Sequence, residues 1–165
     1  MTVVTGVSGS GKSFSAKEEI VDLALSTEDD ILILDPESEF GSLVESLNGE
    51  VISISATSHT HLNALDMDSA YGNDKNPLIE KSEFILSLFE QLVGAGNLSA
   101  KEKSILDRCT ADVYREYIRS SYKSEVPTLK DLYRQLMLQP EEEARGLALS
   151  SELFINGSLN TCLLY

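Results

Sequence analysis

The chain has 165 residues, enough for one domain or part of a larger one, and 42% of them are apolar, as in an ordinary globular protein. A formal charge of −14 argues against this segment gripping DNA or RNA by itself, because phosphate backbones are bound by clustered Lys and Arg. No apolar run approaches the roughly 18 residues of a membrane-spanning helix. Met1-Thr2-Val3-Val4 lacks the basic and apolar regions of a signal peptide, so a cytoplasmic location is expected.

Thr2-Val3-Val4-Thr5 reads as a short β-rich strand and residues 14–25 as a helix. Between them, Gly6-Val7-Ser8-Gly9-Ser10-Gly11-Lys12-Ser13 fits the phosphate-binding pattern G-x-x-x-x-G-K-[S/T], in the strand–loop–helix setting the motif requires. The residue types follow from the chemistry. Gly6, Gly9 and Gly11 lack Cβ atoms, so the backbone can curl and present successive N–H groups to a polyphosphate. The helix start adds unpaired N–H groups and the positive end of its dipole. Lys12 is expected to reach the β- and γ-phosphates, and the Ser13 hydroxyl to ligate Mg²⁺. Ser8 and Ser10 supplement these contacts. A plain glycine-rich turn before a helix is the competing interpretation.

On the first helix, Phe14, Ala16, Ile20, Val21, Leu23 and Ala24 form an apolar face. A polar break, Ser26-Thr27-Glu28-Asp29-Asp30, precedes Ile31-Leu32-Ile33-Leu34, whose continuous apolar character suits a strand buried on both faces. Pro36 cannot donate to a ladder, so this strand is expected to stop near Asp35. Residues 38–47 are predicted to form a short helix with Phe40, Leu43, Val44 and Leu47 inward, and Asn48-Gly49 signals a turn. Glu50-Val51-Ile52-Ser53-Ile54-Ser55 reads as a third strand. The first 56 residues thus predict β-α-β-α-β, the layout of a parallel α/β sheet.

Residues 56–77 have no clear period. Ser58-His59-Thr60-His61 and Asp66-Met67-Asp68 complete no metal-ligand spacing and read as loop. From Pro77 the pattern turns helical. Ile79, Phe84, Ile85, Leu88, Phe89 and Leu92 share a face, and Gly94-Ala95-Gly96 ends the helix. Ser99 with Glu102 makes a capping box before a helix carrying Ile105, Cys109, Val113 and Tyr117. Thr128 caps a third helix. Pro140-Glu141-Glu142-Glu143 opens a fourth that runs to about Gly157. Tyr114, Tyr117 and Tyr133 are expected to pack rather than stack on bases. Cys109 reads as a small core hydrophobe and Cys162 as a residue near the chain end; neither suits a nucleophile.

Ile31-Leu32-Ile33-Leu34-Asp35 with Glu37 has the form of a second nucleotide motif. In it the Asp holds Mg²⁺ through water and a nearby acid polarises the attacking water. Equally, Asp35 reads as ending a strand and capping the reversal led by Pro36. The residues alone support both.

Several stretches together resemble a known family. Residues 6–14 resemble the start of the motor domain of conjugal-transfer ATPases of type IV secretion systems, which group with FtsK/HerA-like P-loop motors. Residues 31–41, Asn63-Ala64-Leu65-Asp66, Ser104-Ile105-Leu106-Asp107-Arg108-Cys109-Thr110, Pro127-Thr128-Leu129 and Gly157-Ser158-Leu159-Asn160 are similar to further stretches. The resemblance implies a partial RecA-like core in residues 1–77 followed by an all-α subdomain in 78–165. It also implies ATP and Mg²⁺, ring assembly with homologous subunits, secretion-machinery partners, and work at the cytoplasmic face of the membrane. By that resemblance Gly6 to Ser13 carry over as the phosphate loop. Asp35-Pro36-Glu37 lies on an earlier strand than the family's main Mg²⁺ acid and borders the site.

The chain departs from the family pattern beyond Leu159-Asn160, where neither a later apolar strand ending in Asp-Glu nor an arginine finger follows. The expectation is a motor-domain fragment that binds ATP and hydrolyses it poorly. Val3 and Val4 would then lie on an unpaired edge that favours self-association. A non-enzymatic remnant that associates with a full-length homologue is the alternative from another class. A small P-loop kinase ranks lower, because Arg108, Arg115, Arg119, Arg134 and Arg145 are scattered like surface residues.

Overall fold

A computed structural model describes residues 11–55, 61–72, 76–157 and 159. The chain divides into two compact units, Met1–Ile52 and Ser53–Tyr165. The expected fold class, a partial RecA-like α/β core of β-α-β-α-β order with a parallel sheet, is corrected by the structure. Among the described residues there are six helices and no strand. Residues 31–34 and 50–55 have no regular secondary structure, and the expected strand at 2–5 lies outside the described residues.

The reason lies in what makes a strand. An apolar run supplies side chains suited to a sheet face, but the strand itself exists through ladder hydrogen bonds to a neighbour. Leu32 and Leu34 are 90% and 88% exposed while Ile33 is half-buried, so the run that reads as doubly buried is open on the face that Leu32 and Leu34 share.

In the first unit, α1 (Lys12–Ser26) begins at Gly11, which takes the left-handed conformation with φ 83°. The helix ends where the Thr27 backbone turns extended and its hydroxyl donates to the Leu23 carbonyl at 2.9 Å. α2 (Gly41–Ser46) is a short helix closed by Asn48, at φ 59°, and by the Gly49 amide donating to the Val44 carbonyl at 2.9 Å.

The second unit is built from α3 (Pro77–Val93), α4 (Ala100–Arg119), α5 (Leu129–Met137) and α6 (Glu142–Ile155). α4 packs on each of the other three. Its ends match the pattern of its sequence: the Ser99 amide and hydroxyl both donate to Glu102 Oε2, at 2.8 and 2.6 Å. At α5 the Thr128 amide and hydroxyl donate to Asp131 Oδ2, at 2.9 and 2.7 Å. The core gathers Ile85 and Phe89 from α3, Leu106, Cys109 and Tyr114 from α4, Leu132 and Leu136 from α5, and Leu147 and Ala148 from α6. Leu65 and Met67, from the irregular segment 61–72, complete it. Tyr114 and Tyr117 are buried and Tyr133 is partly buried, so all three pack. Among the described residues no helix is long and apolar enough to cross a membrane.

One face is turned from expectation. In α3 the buried set is Pro77, Lys81, Ser82, Ile85 and Phe89, while Ile79 and Phe84 are exposed. Lys81 lies inward because its ammonium sits 4.0 Å from the Tyr71 ring centroid and 4.9 Å from that of Phe84, and donates to the Ala64 carbonyl at 3.3 Å. Those partners come mostly from 61–72, which helical periodicity does not register.

Candidate functional site

Of the residues expected to cradle phosphate, Gly6, Ser8, Gly9 and Ser10 lie outside the described residues. Gly11, Lys12 and Ser13 lie within them. Gly11 occupies the N-cap position of α1 and offers no side chain to its amides. A Cβ added there would meet nothing within 4 Å, so only its positive φ requires glycine. Lys12 is the first helical residue and is half-buried; Ser13 follows it and is exposed. The helix start therefore presents its first-turn N–H groups, a lysine and a hydroxyl within three consecutive residues. That donor set suits a phosphate and an oxygen-ligated cation.

Asp35 follows the 31–34 run and organises the turn into α2. Its Oδ2 accepts the Phe40 amide at 2.8 Å and its Oδ1 the Glu39 amide at 3.1 Å. The Phe40 amide leads in holding the carboxyl below its ordinary value; partial burial opposes it, and the Glu39, Glu37 and Ser38 amides assist. Asp35 thus remains an anion that caps a chain reversal, the capping half of one of its two sequence readings, with no strand before it among the described residues. Ser38, within the reversal, takes a positive φ of 56°. Glu37 is exposed. One residue not singled out by sequence, Lys17, connects this turn to α1: its ammonium lies 5.4 Å from the Phe40 ring centroid. The available signal was the spacing of Lys17 four residues after Ser13, which puts both on one helix face.

In the second unit, the stretch Asn63-Ala64-Leu65-Asp66 is tied down by its polar atoms. Asn63 Nδ2 donates to the Pro127 carbonyl at 2.8 Å, while its Oδ1 accepts the Leu65 amide at 3.0 Å. The Tyr114 hydroxyl donates to the Leu65 carbonyl and Lys81 to that of Ala64. Burial pushes the Tyr114 hydroxyl pKa upward, so it stays a donor. Among the described residues no three His, Cys, Asp or Glu side chains gather to hold a metal. Arg108 pairs with Glu141 at 2.9 Å, Arg119 with Glu116 at 2.9 Å and Arg134 with Asp131 at 3.1 Å. A cleft of about 680 Å³ belongs to this unit, lined by Leu136, Met137, Pro140, Arg145 and Leu149 among others; it contains none of the phosphate-site residues.

The family model described as "Helicase HerA, central domain" matches residues 2–159. The chain belongs to the HerA helicase central-domain family. A solved structure, VirB4 of Thermoanaerobacter pseudethanolicus, matches with a TM-score of 0.72 and 23% sequence identity, over 96% of this chain and 43% of that one. At that identity the likeness is one of fold. The chain spans less than half the length of the VirB4 chain it matches. No match was found among curated proteins. The HerA family match takes in the whole glycine-lysine-serine loop, the Asp35 turn and all six helices.

Proposed function

We propose that this chain is the nucleotide-binding part of a motor ATPase of the conjugation or type IV secretion class. It takes ATP with Mg²⁺ at the loop formed by Gly6 to Ser13. The observation that carries the reading is Gly11 in the left-handed conformation at the start of α1, with Lys12 and Ser13 following. Membership of the HerA central-domain family and the fold likeness to VirB4 support it.

In this reading the loop amides and Lys12 neutralise the β- and γ-phosphates and the Ser13 hydroxyl ligates Mg²⁺. Asp35 and Glu37 border the site as anions on the metal side. Glu37 is the candidate for orienting water. Assembly with homologous subunits, contact with secretion-machinery proteins and a place at the cytoplasmic face of the membrane belong to the same proposal. The acidic surface of this segment leaves nucleic-acid contact to other subunits or segments.

The test is titration of Mg-ATP into wild type and Lys12→Ala. Wild type is expected to bind, and the variant to lose about 10- to 150-fold in affinity. That range corresponds to one hydrogen bond to a charged group, worth about 1.5–3 kcal/mol. Equal affinity in the two proteins would refute the site.

A further inference from the structure

We propose that Lys17 is a positioning residue for the metal side of the nucleotide site. By holding Phe40 it sets the acidic 35–40 turn beside the face of α1 that carries Ser13. The inference rests on the nucleotide reading above and adds to it a residue that the phosphate-loop pattern does not include.

A continuous set of contacts carries it. The Lys17 ammonium lies 5.4 Å from the Phe40 ring centroid. The Phe40 amide donates to Asp35 Oδ2 at 2.8 Å, and the neighbouring Glu39 amide donates to Oδ1 at 3.1 Å. Both Lys17 and Phe40 are half-buried, so the contact is partly shielded from water. Ser13 and Lys17 stand four residues apart in α1, hence on one face and one turn from each other. The residue that holds the turn therefore stands on the helix face that carries the Ser13 hydroxyl.

Charge explains what such placement does. Lys12 and Lys17 are the only cationic side chains in residues 1–52, among acids that include Glu28, Asp29, Asp30, Asp35, Glu37 and Glu39. Carboxylates beside a bound nucleotide repel a bare triphosphate and attract its divalent cation. With the turn held near Ser13, the site favours the metal-loaded nucleotide over the free one. Asp35, kept ionised by the Phe40 amide, is part of the same arrangement. Lys12 serves the phosphates, and Lys17 serves the turn.

The experiment is a double-mutant cycle with Lys17→Met and Phe40→Leu, plus Lys17→Arg, titrated with Mg-ATP and with ATP in EDTA. Each single change is expected to weaken Mg-ATP binding about two- to five-fold, the range of a partly exposed cation–π contact. The double variant is expected to be no weaker than the worse single, and Lys17→Arg to restore affinity. Metal-free ATP, which the carboxylates of the turn repel, should bind neither single variant nor the double more weakly than it binds wild type. Additive losses, or Mg-ATP affinity indifferent to both changes in a wild type that binds, would overturn the role of Lys17 alone. A wild type that binds no Mg-ATP would remove the nucleotide reading, and the role built on it. Amide hydrogen exchange at Glu39 and Phe40 separates the two failures without nucleotide. Faster exchange in Lys17→Met supports the hold on the turn, and unchanged exchange overturns it.

Discussion

Tyr114→Phe removes one oxygen atom from the centre of the helical unit and tests what anchors the segment 61–72. The Tyr114 side chain is fully buried, and its hydroxyl donates to the carbonyl of Leu65, itself fully buried. Phenylalanine fills nearly the same volume, so no cavity penalty enters. What remains is a buried carbonyl without its donor, at a cost of about 1–3 kcal/mol, reduced because phenylalanine is cheaper than tyrosine to take out of water. The net loss should be about 1–2 kcal/mol. For a chain of this length that lowers Tm by about 2–8 °C, taking about 2–4 °C per kcal/mol. Circular dichroism melts and urea titration read the loss. Amide exchange at Leu65 and Asp66 locates it, because the Leu65 amide is held on the same segment by Asn63. A Tyr114→Phe protein as stable as wild type, with unchanged exchange over 61–72, would refute the anchoring argument.

Three further outcomes follow from the same physics. Burial lowers the Lys81 pKa below its ordinary 10.5, with Asp66 opposing, so just below that value the unfolded chain binds more protons than the folded one. Stability of wild type relative to Lys81→Met should therefore rise with pH towards 10.5, and a gap independent of pH in urea titrations would contradict this. The Asp35 carboxyl is also lowered, but here the charged form is the one favoured, so its contribution is present above the ordinary value near 3.8 and is lost as pH falls through the lower folded value. Asp35→Asn should flatten that acid limb, and an acid titration of the two proteins with parallel limbs would count against the capping role. Cys109 is fully buried, and burial pushes its thiol up to about 11, so iodoacetamide at pH 8 should leave it unmodified in the native protein and label it in urea. Peptide mass analysis reads this position separately, and rapid native labelling would show that α4 opens.

Much of the candidate site is written in local sequence, because its parts act over short distances. A glycine at a left-handed N-cap, followed by lysine and serine, is a pattern within three residues, and the structure places Gly11, Lys12 and Ser13 in that order at a helix start. The reversal at Asp35 is local as well, since a carboxylate reaching amides four and five residues ahead needs no distant partner. Lys17 and Phe40 are different: they meet across residues that belong to no shared period, and only folding pairs them.

The helices divide along the same line. Sequence by itself determined where α3 ends and where α4 and α5 begin: Ser99 with Glu102 and Thr128 with Asp131 satisfy amides within one turn, and Gly94 at φ 96° stops α3. It also determined the excess of acid that leaves Lys12 and Lys17 alone among the anions of residues 1–52. Tertiary structure decided whether an apolar run becomes a strand, because ladder hydrogen bonds come from another segment, and residues 31–34 have none among the described residues. It decided, too, that Lys81 rather than Phe84 turns inward on α3. The carbonyl of Ala64 and the ring of Tyr71 supply there what no window of sequence around Lys81 contains.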